Sequence, residues 1–215
     1  MEANVRESIA GGLKLGIMGG TFDPIHYGHL VAAETARVEL GLDHVLFIPT
    51  GIPPHKTDRL ITEANLRFEM VEMSIRSNQN FKVSRMEIER NGPTYTIDTL
   101  RILKDMFPNQ ELYFITGTDA LKELLTWREP EEIIRLSRIV GASRPGYDSH
   151  SELGKIFQKF PFMKDRISRL EVPALAISST DIRARVQNQK SIRYLLPDEV
   201  RLFIKKNNLY QTNKN

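Results

Sequence analysis

Residues 19–29 read GGTFDPIHYGH. Paired glycines and a proline precede two histidines. His26 and His29 are three apart, so one helical turn would face both rings the same way. Gly19 and Gly20 let the backbone come close to a ligand with no Cβ in between, and Pro24 stiffens the loop. Gly28 and His29 fall where a helix would begin, and the unpaired amides of a helix start favour anions. The chemistry open to these residues is the holding of phosphate oxygens. The plainer reading is a glycine-rich turn with two incidental surface histidines. The chain has only five histidines, and two of them cluster here, which weighs against it. The stretch is neither G-x-x-x-x-G-K-[ST] nor G-x-G-x-x-G, and H-E-x-x-H is absent from the chain.

A second candidate lies far downstream, at residues 177–186, ISSTDIRARV. Ser179 and Thr180 are helix-capping types, and Arg183 follows about one turn later. Hydroxyls, a helix start and a guanidinium fork make an anion clamp. Alone, the stretch is better explained as a capped helix with a solvated arginine; the clamp gains weight only beside the first motif.

Strand-like runs fall at 13–18, 44–49, 81–89, 111–117, 138–143 and 173–178, and helix-period runs at 29–40, 64–77, 95–107, 178–189 and 197–208. This alternation predicts an α/β fold: a Rossmann-like, doubly wound, mostly parallel sheet with helices on both faces. A single domain over 13–210 is expected, with a short amino-terminal extension at 1–12 and a tail at 211–215. Such sheets bind ligands at the carboxyl ends of their strands, near a switch in strand order. The first motif follows the first strand.

Composition narrows the classes. The chain has 215 residues, 40% hydrophobic and 27% charged, as in soluble globular proteins. It has no cysteine, which excludes disulfides, thiolate catalysis and cysteine zinc sites. No apolar run reaches the length of a membrane span, and the first residues read as a tail rather than a targeting segment. A cytoplasmic location is expected. The net charge is +3 and the pI about 9.1. That mild basicity suits a small anionic ligand; neither a nucleic-acid nor a membrane partner is expected. A homo-oligomer is compatible with the sequence.

Together the two motifs resemble the signatures of the nucleotidyltransferase superfamily, GTFDPIHYGH the T/H-x-G-H element and ISSTDIR the carboxyl-terminal one. A closer resemblance, to bacterial nicotinate-nucleotide adenylyltransferases, rests on an ordered set: PPHK (53–56), GPTYTIDTL (92–100), FITGTDAL (114–121), Trp127 and SRPGY (143–147). It runs from about Leu15 to Tyr210. The resemblance implies transfer of an adenylyl group from ATP to nicotinate mononucleotide, giving deamido-NAD and pyrophosphate. The acceptor phosphate would attack the α-phosphorus directly, without a covalent enzyme intermediate. Mg²⁺ would be held mainly by the ATP phosphates, with no protein metal ligand assigned.

By position, the resemblance implies that Gly19, Gly20, Thr21 and Phe22 line the nucleotide pocket. It sets His26 and His29 on the ATP phosphates, His29 near the reacting one. Ser179, Thr180 and Arg183 would hold the outer phosphates, with Arg144 as a further phosphate contact. Gly117 and Asp119 would meet the adenosine ribose, and Lys56 a phosphate. Thr96 and Trp127 would form the nicotinate pocket. The residues themselves leave other readings open: Asp119 as a helix cap, Trp127 as core, Thr96 as a helix start, Lys56 as exposed loop, Arg144 as a strand end, Asp23 as a Mg²⁺ aid. Rival functions are transfer to another phosphate acceptor (nicotinamide mononucleotide or phosphopantetheine), a noncatalytic nucleotide- or RNA-binding module, and a fragment of a class I aminoacyl-tRNA synthetase. GPTYTIDTL and Trp127 weigh against phosphopantetheine. The absence of a K-M-S-K-S-like segment and of room for a tRNA-binding domain weighs against the synthetase.

Overall fold

Along the strand His44–Pro49 (β2), successive side chains enter opposite cores: Val45 and Phe47 one, Leu46 and Ile48 the other. That two-residue period, apolar on both faces, is what a parallel strand covered by helices on each side requires. The same alternation recurs in Lys14–Gly20 (β1), Glu111–Gly117 (β4) and Arg138–Ser143 (β5). Phe81–Val83 (β3) and Ile167–Glu171 (β6) complete the sheet. Its order is β3-β2-β1-β4-β5-β6, and every neighbouring pair is parallel. The computed structural model describes residues 7, 9, 11, 13–53, 61–117, 120–121, 123–143, 157, 161, 164–173 and 175–211.

The helices are α1 (Tyr27–Glu39), α2 (Ala64–Ile75), α3 (Thr96–Met106), α4 (Pro130–Leu136), α5 (Ser179–Gln187) and α6 (Asp198–Lys206). Ala33, Met70, Ile182 and Val200 bring α1, α2, α5 and α6 to one core. Leu100 and Ile133 bring α3 and α4 to the other. The Rossmann-like, doubly wound single domain expected from the sequence is present. The chain winds from β1 out to β3 and returns to β4 on the other side of β1. The order therefore reverses between β1 and β4, and a crevice opens beyond their carboxyl ends.

Three elements differ from expectation. The last strand is Ile167–Glu171, not 173–178. Its apolar residues, Ile167 and Leu170, serve opposite cores and are separated by exposed Ser168 and half-buried Arg169, so no apolar run marks it. The more apolar segment after it contains Pro173, which lacks a ladder donor, and it lines a cavity instead, through Leu175 and Ile177. β3 stops at Val83 rather than residue 89. There the Ser84 hydroxyl accepts the Met86 N–H at 3.2 Å, and the chain turns. Helix α4, two turns long, was not expected from periodicity. Its signals are chemical: proline in the first turn, Glu131 and Glu132 beside it, Arg135 in the last turn. No helix among the described residues is long and apolar enough to cross a membrane.

Candidate active site

β1 ends at Gly20, and after six intervening residues the chain enters α1 at Tyr27. Within that loop the Asp23–Pro24 peptide is cis and Phe22 has φ 48°. Phe22 is buried beneath Gly20, with its ring edge-on to His29 at 5.1 Å and tilted against Phe47 at 5.9 Å. His26 is the residue before α1 and His29 lies in its first turn. Their rings stack with centroids 3.7 Å apart. The His26 N–H donates to His29 Nδ1 at 3.2 Å. An imidazole nitrogen that accepts carries no proton, so this bond assigns the neutral His29 hydrogen to Nε2, leaving that nitrogen as a donor. Burial lowers the pKa of His26 to about 4, so its ring is neutral near pH 7.

The stack faces a cavity of about 450 Å³, bordered by Gly19, Gly28, Thr116 and Gly117. Gly28 leaves room for the stack: a Cβ there would come 3.0 Å from the His26 ring, and the imidazole would have to give by a few tenths of an ångström. The cavity thus combines a helix start, close backbone and a fixed imidazole donor, the surroundings an anion needs.

A second cavity of about 280 Å³ lies on the other side of the same crevice. Gly19 and Thr116, from the carboxyl ends of β1 and β4, border both. Trp127 and Thr96 face the second, together with Thr94, Tyr95, Glu87 and Arg128. The half-buried Trp127 ring packs edge-on against Phe114 at 5.8 Å, leaving an aromatic face for a flat ligand. Arg128 lies 5.0 Å over the Tyr95 ring. Glu87 is buried and accepts the Thr99 hydroxyl at 2.6 Å; burial pushes its carboxyl above the usual range. The Glu87 carbonyl would lie 2.1 Å from a Cβ on Gly51, so only glycine fits at that crossing.

The downstream motif reaches the histidine loop from the side. Ser178 caps α5, its hydroxyl accepting the Asp181 N–H at 3.1 Å. The Ser179 hydroxyl donates to the Pro24 carbonyl at 2.8 Å, and Arg183 Nη1 donates to the Asp23 carbonyl at 2.7 Å. Arg183 Nη2 also donates to Thr180 Oγ1 at 3.2 Å. None of these three side chains lines either cavity.

The expected site residues therefore divide. His26, His29, Gly19 and Gly117 border the first cavity. Gly20, Thr21, Thr96 and Trp127 border the second, as Gly19 also does. Phe22 supports His29 from below, and Ser179, Thr180 and Arg183 stand behind the loop. Lys56, Asp119 and Arg144 lie outside the described residues. The Asp23 carboxylate turns inward to the Tyr210 hydroxyl. Among the described residues no cluster of three or more histidines or carboxylates could hold a metal. Sequence reasoning passed over Glu87, Tyr210 and Arg67. Arg67 is 1% exposed, and its guanidinium donates to the carbonyls of Thr62, Thr21 and Gly51. The signal for it was a charge on the buried stripe of α2, in line with Val71 and Ile75.

A cytidylyltransferase-like family signature matches residues 17–185. The chain is 53% identical over 198 residues to a protein of Desulfitobacterium hafniense named probable nicotinate-nucleotide adenylyltransferase, covering 92% of this chain and 96% of that one. It is 48% identical over 203 residues to one of the same name from Moorella thermoacetica, covering 92% of each chain. The structure of Plasmodium falciparum nicotinic acid mononucleotide adenylyltransferase complexed with NaAD is similar with a TM-score of 0.74. That match covers 92% of this chain and 97% of the other at 23% identity, a likeness of fold.

Proposed function

Since the chain belongs to the nicotinate-nucleotide adenylyltransferase family, we propose that it transfers the adenylyl group of MgATP to nicotinate mononucleotide, forming deamido-NAD and pyrophosphate. The observation that carries this reading is the pair of cavities meeting at Gly19 and Thr116, one faced by the histidine stack and the other by Trp127 and Thr96. A reaction joining two nucleotides needs two sites whose reactive phosphates meet at one wall. ATP takes the first cavity and the mononucleotide the second, with its pyridine ring on Trp127.

The acceptor phosphate oxygen attacks the α-phosphorus in line. The new P–O bond forms as the bond to the pyrophosphate oxygen breaks, and the electron pair leaves with pyrophosphate. A phosphate acceptor is already anionic, so no side chain has to remove a proton. The chain's task is to position reactants and stabilise charge. His29 Nε2–H donates to the α-phosphate as charge gathers there, held in aim by the His26 N–H and the Phe22 ring beneath it. Neutral His26 supports the stack. Mg²⁺ bound to the ATP phosphates would neutralise their charge; among the described residues no cluster of histidines or carboxylates would hold it. The reading describes a cytoplasmic enzyme of NAD synthesis acting on small molecules.

The test is incubation of the protein with ATP, Mg²⁺ and either nicotinate or nicotinamide mononucleotide, following pyrophosphate and dinucleotide. Dinucleotide formed faster from the acid is expected. No product from either acceptor would overturn the reading.

A further inference from the structure

After α6 the described chain turns back on itself, and Leu209 and Tyr210 pack against the core to which α1, α2, α5 and α6 contribute. The turn is fixed by its own backbone, the Leu209 N–H donating to the Ile204 carbonyl at 3.0 Å. The Tyr210 hydroxyl then reaches 187 residues back along the sequence and donates to Asp23 Oδ1 at 2.8 Å. Burial holds the phenol well above its ordinary pKa, so it stays a donor.

Asp23 sits in the loop that delivers His26 and is 2% exposed. Its Oδ2 is buried with no hydrogen-bond partner among the described residues. Arg67 lends the neighbourhood a positive charge, yet its nitrogens bond carbonyls, including that of Thr21 at 2.7 Å. Ser179 and Arg183 likewise hold carbonyls of this loop, those of Pro24 and Asp23. Three side chains from two helices, α2 and α5, thus fix the loop's backbone, while the Asp23 side chain is held by the tyrosine. A buried carboxylate that loses its donor has strong reason to move, because desolvation without a hydrogen bond is costly. Any such movement drags the turn that places the stack.

We propose that Tyr210 is a positioning residue for adenylyl transfer: its hydroxyl holds the Asp23 carboxylate, and through it the loop that aims the His26–His29 stack at the donor cavity. The proposal rests on the functional reading above. It differs from a plain packing role, which would cost stability without separating the kinetic constants.

Tyr210→Phe in the full chain keeps the ring and removes the hydroxyl. The expected result is a kcat lowered about tenfold with the Michaelis constant for the mononucleotide within about twofold of the parent. Asp23→Asn should lose a similar amount, and the double variant no more than either alone. Leu209→Ala loosens the same turn without touching Asp23, and should lower the melting temperature while keeping kcat. A parental kcat in Tyr210→Phe, or an equal loss of kcat in Leu209→Ala, would overturn the proposal. A second readout needs no turnover: with five histidines in the chain, the ring-proton resonances of His26 and His29 should shift in Tyr210→Phe while those of His44 stay. Failure of the parent chain to make dinucleotide would refute the functional reading. Unmoved His26 and His29 resonances would refute the role of Tyr210, with or without turnover.

Discussion

At the cavity proposed for ATP the polar wall is backbone and two imidazoles, set among apolar side chains such as Ile115 and Leu175; at the cavity proposed for the acceptor it is side chains from six separate segments. The donor side draws most of its wall from the ends of β1 and β4 and the start of α1, and its aiming bond joins residues only three apart. The acceptor side gathers Thr21, Thr50, Glu87, Thr96, Thr116 and Trp127 from stretches that meet only in the folded sheet. The difference suits the two ligands proposed. A phosphate group is recognised by N–H groups, which any backbone supplies once glycine lets it approach. A pyridine ring needs an aromatic face and a few placed polar groups, which only side chains supply. The donor side should accordingly govern the chemical step, and the acceptor side binding.

The largest expected effect tests the donor half. His29→Ala removes the Nε2 donor, and kcat should fall about 10²–10³-fold, the range for a lost transition-state donor. The Michaelis constant for the mononucleotide should hardly change. An equal loss in both would dissolve the division between the cavities.

Acid should then pull the two sides apart. His26 has a pKa near 4 in the folded chain, against 6.5 when unperturbed. Between those values the unfolded chain binds the proton and the folded one does not, so stability falls as pH drops from about 6.5 to about 4, by at most about 3 kcal/mol. Glu87 has the opposite sign. Its raised pKa means the folded chain keeps a proton the unfolded one has lost, so its contribution grows as pH falls towards the ordinary carboxylate range. Urea midpoints between pH 7.5 and 4 should flatten in His26→Asn and steepen in Glu87→Gln. Parallel curves for parent and His26→Asn would show that burial of this imidazole is not the cause.

On the acceptor side, Trp127→Ala should raise the Michaelis constant for the mononucleotide about tenfold and leave kcat within a few-fold, the loss expected of one aromatic stacking contact. Initial rates across mononucleotide concentrations decide it. An unchanged constant would remove the indole from the binding surface.

The same contrast explains what could be read in the sequence. The donor side was legible because its parts are contiguous: two histidines three apart, beside glycines, after an apolar strand. The parallel sheet was legible because strands buried on both faces are apolar at every position, as in VLFI of β2. β6 was not, since an edge strand with Ser168 and Arg169 among its residues leaves no run, and the apolar segment after it drew the expectation instead. At the acceptor side, Trp127 and Thr96 were placed by resemblance; their own spacing says nothing of a shared wall. Glu87 and Arg67 escaped for a different reason. A charged residue in a sequence reads as exposed, and its burial is decided by partners such as Thr99 and the Thr21 carbonyl that only the fold brings near.

The smallest effects concern two adjacent serines that the sequence treats alike. Ser178 accepts the Asp181 N–H and caps α5, whereas Ser179 donates to the Pro24 carbonyl in the histidine loop. A lost cap costs about 1 kcal/mol of stability, so Ser178→Ala should lower the unfolding midpoint and leave kcat alone. Ser179→Ala gives up a bond to the donor loop, so kcat should fall about threefold with acceptor binding unchanged, as one neutral hydrogen bond would allow. Denaturation and steady-state kinetics on the two variants, side by side, make the comparison. If both serines changed stability alone, the second motif would be a helix cap and no brace. If both changed kcat, the start of α5 would act as one unit on the donor loop, and the division of labour between capping and bracing would fail within a single turn of helix.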